Sequence, residues 1–153
     1  MTNREQWLFN CTQALRAHFA LAGYTIPDNV RATCGFPSRK GTGNHKTLGQ
    51  CWADTASDNK VFEILVSPVV SDALNVADIL AHELAHATAG LDCGHKSQFA
   101  KVARAIGLEG KLTSTVAGPA FKQWFAAQDF GPYPHEALCE CLECLVDWFS
   151  RTM

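Results

Sequence analysis

Between Asp72 and Gly90 the apolar residues Val76, Ile79, Leu80, Leu84 and Ala87 recur at helical steps, and the glycine is placed to end the helix. Into that stripe the sequence sets His82, Glu83 and His86. A helix that the core needs must therefore also house three ionisable groups. Buried ionisable groups need partners, so the chain has to fold in a way that brings partners to this helix.

His82 and His86 are four residues apart, so on a helix their imidazoles leave the same face one turn apart and can grip a single ion. Glu83 is rotated by one position. It stands beside such an ion rather than on it, where a carboxylate can take a proton from water. The bland alternative is a solvated polar face. The neighbours Ile79, Leu80, Ala81, Leu84 and Ala85 argue against that.

A third ligand decides between the two, and four residues compete for the place. Asp92 stands six positions after His86, as in the metzincin pattern, but Ala89 replaces the glycine of that pattern. The only methionines are Met1 and Met153, so the downstream methionine turn is missing as well. Glu109 would imitate the distant glutamate ligand of thermolysin-like enzymes, without their matching second carboxylate. His135 follows the break "GPYP" and reads as an exposed or supporting residue. His95 is the best placed, because the chain can turn through Gly90 and Gly94 and bring it back to the ion.

The rest of the chain supplies a scaffold. Leu8, Cys11, Leu15, Phe19 and Ala22 mark an amphipathic helix over Arg4 to Ala22, stopped by Gly23. Asn29 to Cys34, Thr47 to Ala53 and Lys60 to Ser67 read as three strands separated by turns. Their short connections predict an antiparallel or mixed sheet. Further helices are expected over Ser97 to Ile106 and Ala120 to Gln128, and the closing segment His135 to Arg151 also has helical spacing. The fold class expected is α+β: an N-terminal helix, a small three-stranded sheet, the histidine-bearing helix and further C-terminal helices.

At 153 residues the chain is expected to form a single domain, residues 1–153, able to bury a core without a structural metal or disulfides. Seven cysteines, an odd number, suit free thiols in a reducing compartment. No apolar run approaches the ~20 residues of a membrane span, and "MTNREQWLFN" has no signal-peptide character, so a cytoplasmic protein is expected. The net charge of −2 gives no overall pull toward nucleic acid, although Ser38 to Lys46 is locally basic.

The stretches "GFPSRK", "LGQCW", "EILVSP" and "ILAHELAHATAGLDCGHKSQFAKVARAIGL" together resemble the SprT-like metalloprotease family, which includes the Spartan proteases and phage-encoded members. The resemblance covers roughly Asn29 to Gly107. It implies a minimal zincin-like metalloprotease fold and a zinc ion held by His82, His86 and His95. It also implies Glu83 as catalytic residue and Phe99 as the aromatic that follows the third histidine. Two departures stand out. Lys96 occupies a position where the family commonly has glycine. "CLEC" (Cys141 to Cys144) is a single cysteine pair, whereas a zinc ribbon needs two, so a C-terminal ribbon is expected to be absent or truncated.

The function expected is that of a zinc-dependent endopeptidase acting on proteins, with DNA-associated proteins implied by the resemblance and only weak DNA binding by this chain. "VFEILVS" would serve as an edge strand that holds substrate backbone. Tyr24, Tyr133 and His135 are the candidates for stabilising an oxyanion. Cys139, Cys141 and Cys144 are expected to pack in a closing helix. The alternatives are a non-catalytic binding or regulatory module that keeps the metal, and a zinc hydrolase of a non-peptide substrate.

Overall fold

The computed structural model describes residues 3–37 and 47–134. The basic segment Ser38 to Lys46 and the tail from His135 onward, with its expected helix and its three cysteines, lie outside them.

Helix α1 (Arg4–Leu21) starts where the Asn3 side chain accepts the Gln6 backbone N–H at 2.8 Å, and it closes ahead of Gly23, whose φ is 86°. It buries Leu8, Cys11, Leu15 and Phe19 of the stripe anticipated from spacing, and Trp7 besides, while Ala22 is only partly buried. Three strands follow: β1 (Val30–Cys34), β2 (Gly49–Trp52) and β3 (Phe62–Val66). Their order is β1-β3-β2, with β3 parallel to β1 and antiparallel to β2, so the sheet is mixed.

That order corrects one expectation. Strand β3 lies in the middle of the sheet with both of its sides paired, so "VFEILVS" offers no free edge to a substrate. The uninterrupted run Ile64-Leu65-Val66 is the physical reason, since a central strand covered on its faces is apolar throughout. Ile64 and Val66 are fully buried. The edge next to the histidine helix is β2.

Helix α2 (Ala73–Ala89) is capped by Asp72, which accepts the Asn75 N–H at 2.9 Å, and it ends at Gly90 with φ 90°. It packs against α1, β2 and β3 on one side. On the other lie α3 (Ser97–Ala105) and the hairpin of β4 (Leu108–Lys111) and β5 (Ser114–Ala117). Being covered from two sides, α2 buries the small residues Ala77, Ala81 and Ala85 in addition to Val76, Leu80 and Leu84. Ile79, expected in the core stripe, is only half-buried and faces a cleft. The hairpin was not foreseen, because two four-residue strands rich in glycine, serine and threonine carry little apolar alternation. Helix α4 (Pro119–Ala126), with Phe121 buried, is the last helix among the described residues.

The architecture is α+β. Cys11, Cys34, Cys51 and Cys93 are free thiols. Among the described residues no helix is long and apolar enough to cross a membrane.

The hairpin is tied to α2 by a buried hydrogen bond in which the Ala117 backbone N–H donates to the Asp78 carboxylate at 3.0 Å. Burial pushes the Asp78 carboxyl up to about 6, against the pull of that N–H. The folded pKa is raised, so the carboxylate weakens the fold increasingly as pH rises from about 4 to about 6, and fully above that. Asp78→Asn keeps an oxygen for Ala117 and removes the charge. It is expected to stabilise the metal-free protein at pH 7.5 by on the order of 1 kcal/mol, discounted for partial solvent screening, and to have little effect at pH 4. Thermal unfolding at the two pH values checks this; an equal difference at both would contradict it.

Candidate metal centre

Three elements build the centre. Helix α2 presents His82 and His86 one turn apart. A short 3₁₀ turn, Leu91–Cys93, then reverses the chain, and Gly94 at φ 52° brings His95 back over the helix. The Nε2 atom of His95 lies 3.1 Å from that of His86 and 3.3 Å from that of His82, and one ligand atom from each of the three sits within 4.8 Å of the others. Nitrogens bound tetrahedrally to zinc at about 2.0–2.1 Å stand about 3.3 Å apart, close to the two separations from His95, and three ligands leave a fourth position over.

Beneath the triad lies Phe99 of α3, fully buried. Its ring centroid is 4.3 Å from that of His86, nearly parallel to it, and 4.8 and 5.0 Å from those of His82 and His95. This apolar floor holds the imidazoles neutral. Burial, reinforced by the neighbouring histidines, lowers His82 to about 3 and His86 to about 4, and burial also lowers His95. Three neutral imidazoles with their nitrogens aimed at one point form a donor set suited to a borderline-soft divalent cation.

The outer nitrogens differ. His82 Nδ1 is 2.7 Å from the hydroxyl of Thr115 on β5, whereas His86 Nδ1 is buried without a partner among the described residues.

Glu83 points toward the sheet rather than into the triad. Its carboxylate accepts the backbone N–H of Cys51 on β2, and burial pushes its pKa up to about 8 in the absence of a cation. Strand β2 comes this close because residue 49 is glycine: a Cβ there would lie 2.7 Å from Glu83 Oε1 and 2.6 Å from Ile79 Cγ2. The same surroundings raise the Cys51 thiol to about 12, through burial and then the Glu83 charge, which makes it an inert neighbour.

His82 and Glu83 open onto a cleft of about 990 Å³. One wall is Leu48, Gly49 and Val69; the other is Lys111, Thr115 and Val116 of the hairpin. Leu48, Val69 and Val116 are exposed apolar side chains on its rim, so the cleft is greasy at the edge and acidic along α2, where Asp72 and Asp78 line it.

Of the residues weighed from sequence, His82, His86 and His95 come together and the rivals among the described residues do not. Asp92 is exposed on the 3₁₀ turn and Glu109 is exposed on β4, both outside the triad. His18 is committed elsewhere, 2.8 Å from the Ile106 carbonyl and stacked on Trp124. Neither tyrosine lines the cleft: Tyr133 packs edge-on against Trp7 and Tyr24 packs at the core margin. His135 lies outside the described residues. Sequence reasoning missed Thr115, Gly49 and Asp78. A hydroxyl on a strand and a glycine near a turn carry no signal until the partners they meet are known. Comparison with known proteins finds no matching family model, curated protein or solved structure.

Proposed function

We propose that this chain is a zinc-dependent endopeptidase with a minimal zincin-like, SprT-like arrangement. The observation that carries the proposal is the convergence of three neutral imidazoles near a buried carboxylate, with His82 and Glu83 lining an open cleft. His82, His86 and His95 hold the ion. Zinc bound there supplies a Lewis acid that polarises a carbonyl and acidifies water.

The chain's own residues then do the following. Glu83, held by the Cys51 N–H, takes the proton of the attacking water and passes it to the leaving amine. With the triad loaded, the pKa of Glu83 would lie below its raised value, in the range where a carboxylate works as a base near neutrality. Phe99 and the apolar packing around the histidines keep bulk water from the back of the site. Substrate backbone would lie against β2, the edge strand beside α2 among the described residues, in the role first expected of β3, where Leu48 and Gly49 line the cleft, with the hairpin as the opposite wall. A site that served only to hold the fold together would have no use for a buried carboxylate facing a cleft, which favours an enzyme over a binding module. The resemblance to SprT-like proteases extends the reading to DNA-associated protein substrates. The net charge of −2 makes tight DNA binding by this chain alone unexpected.

The test is hydrolysis of unfolded protein by the zinc-loaded chain. Activity is expected to vanish with chelator and to return with added zinc. Zinc-loaded protein that binds unfolded and DNA-bound proteins without cutting them would favour the binding module, and cleavage of a small ester alone would favour a non-peptide hydrolase.

A further inference from the structure

We infer that Thr115 is a positioning residue for the metal centre, and that strand β5 exists in its present place to deliver it. The inference rests on the histidine triad being a metal site. The juxtaposition that carries it is the 2.7 Å approach of the Thr115 hydroxyl to His82 Nδ1, with the other ring nitrogen of His82 turned to the point where the triad meets. An imidazole that offers its Nε2 lone pair to a cation keeps its proton on Nδ1. That N–H therefore donates to Thr115 Oγ1, which fixes both the tautomer and the angle of the ring about its χ2.

The register of the hairpin on the helix supports this. Asp78 and His82 are four residues apart on α2 and rise about 6 Å along its axis. Thr115 and Ala117 are two apart on β5, a rise of about 6.8 Å along the strand. The two distances nearly match, and both rungs are filled: Ala117 N–H to Asp78 at 3.0 Å, and His82 to Thr115 at 2.7 Å. The strand is thus fastened alongside the helix by one rung that sets its position and a second that uses this position to aim a ligand. No equivalent holds His86, whose outer nitrogen is unpartnered among the described residues and which is oriented instead by stacking on Phe99. Thr115 and Val116 also line the cleft, so the wall that a substrate would touch is continuous with the group that orients His82.

The experiment is zinc affinity by competition with a chromophoric chelator, at fixed pH, on the full chain. Thr115→Val keeps the shape and removes the acceptor, and is expected to weaken zinc binding about 10- to 100-fold. Thr115→Ser restores the hydroxyl and is expected to bind within a few-fold of wild type. Cobalt-loaded Thr115→Val should also show altered visible bands, because the angle of one imidazole changes. Far-UV circular dichroism monitors folding; should the valine variant not fold, Thr115→Ala is read by the same criteria. Wild-type affinity in Thr115→Val, or an equal loss in Thr115→Ser, would overturn the inference while leaving the metal centre intact. A wild-type chain that binds no zinc, or a His82→Ala chain that binds as tightly as wild type, would instead remove the metal-centre reading and this inference with it.

Discussion

Glu83→Gln is expected to leave the fold and the metal affinity nearly unchanged while lowering peptide hydrolysis about 10²- to 10⁴-fold. Glutamine has the same shape and keeps an oxygen for the Cys51 N–H, so the packing against Gly49 and Ile79 is preserved. It cannot accept a proton. Glu83 as a residue is only 8% exposed, and burial pushes its pKa up to about 8 without a cation. Loss of the negative charge therefore removes a group the fold holds at some energetic cost, and the metal-free variant should be no less stable than wild type. The measurement is kcat/KM on an unfolded protein substrate, beside zinc content and thermal unfolding. Retained activity would move the base elsewhere in the cleft, with Asp78 the other buried carboxylate that lines it among the described residues.

His95→Ala is expected to weaken zinc binding by more than the roughly 10- to 100-fold that loss of a supporting partner causes, because a direct ligand is lost. His95 reaches the site from a turn rather than from the core, and it is only partly buried, so its removal should cost the fold little. That separates it from His86, which is stacked on Phe99 and 8% exposed, and whose loss would leave a cavity as well. Asp92→Ala, three positions earlier on the same turn, is expected to bind zinc like wild type. Chelator competition on the two variants checks the pair. The reverse outcome, with Asp92 needed and His95 dispensable, would mean that the turn presents the other residue when the metal is bound.

The parts of the molecule read most directly from sequence were those governed by local periodicity. The stripe Leu8, Cys11, Leu15 and Phe19 placed α1, and the helix expected over Ser97 to Ile106 appears as α3, with Phe99, Val102, Ala103 and Ile106 buried. His82 and His86 were legible because helical spacing alone puts them on one face. His95 needed one further step, the turn at Gly90 and Gly94, and the two positive φ angles there supply it. What escaped depends on contacts between distant segments. The order β1-β3-β2 was invisible to strand spacing, so the free edge was assigned to the wrong strand. Gly49 lay inside the expected strand Thr47 to Ala53 with no sign of a special role; its meaning comes from Glu83 lying against it, 34 positions away in sequence. Thr115 is 33 positions from the histidine it touches, in a hairpin whose polar strands give no apolar alternation to detect.

The most direct measurement is the position and number of zinc ions in crystals of the wild-type protein, located by anomalous scattering at the zinc edge. One ion per chain is expected, about 2.0–2.1 Å from a ring nitrogen of each of His82, His86 and His95, with the fourth position open to the cleft. Zinc-soaked crystals with no ion among these three histidines, or with the ion held by other residues, would contradict the central claim that the α2 histidines and His95 form the working centre of this protein.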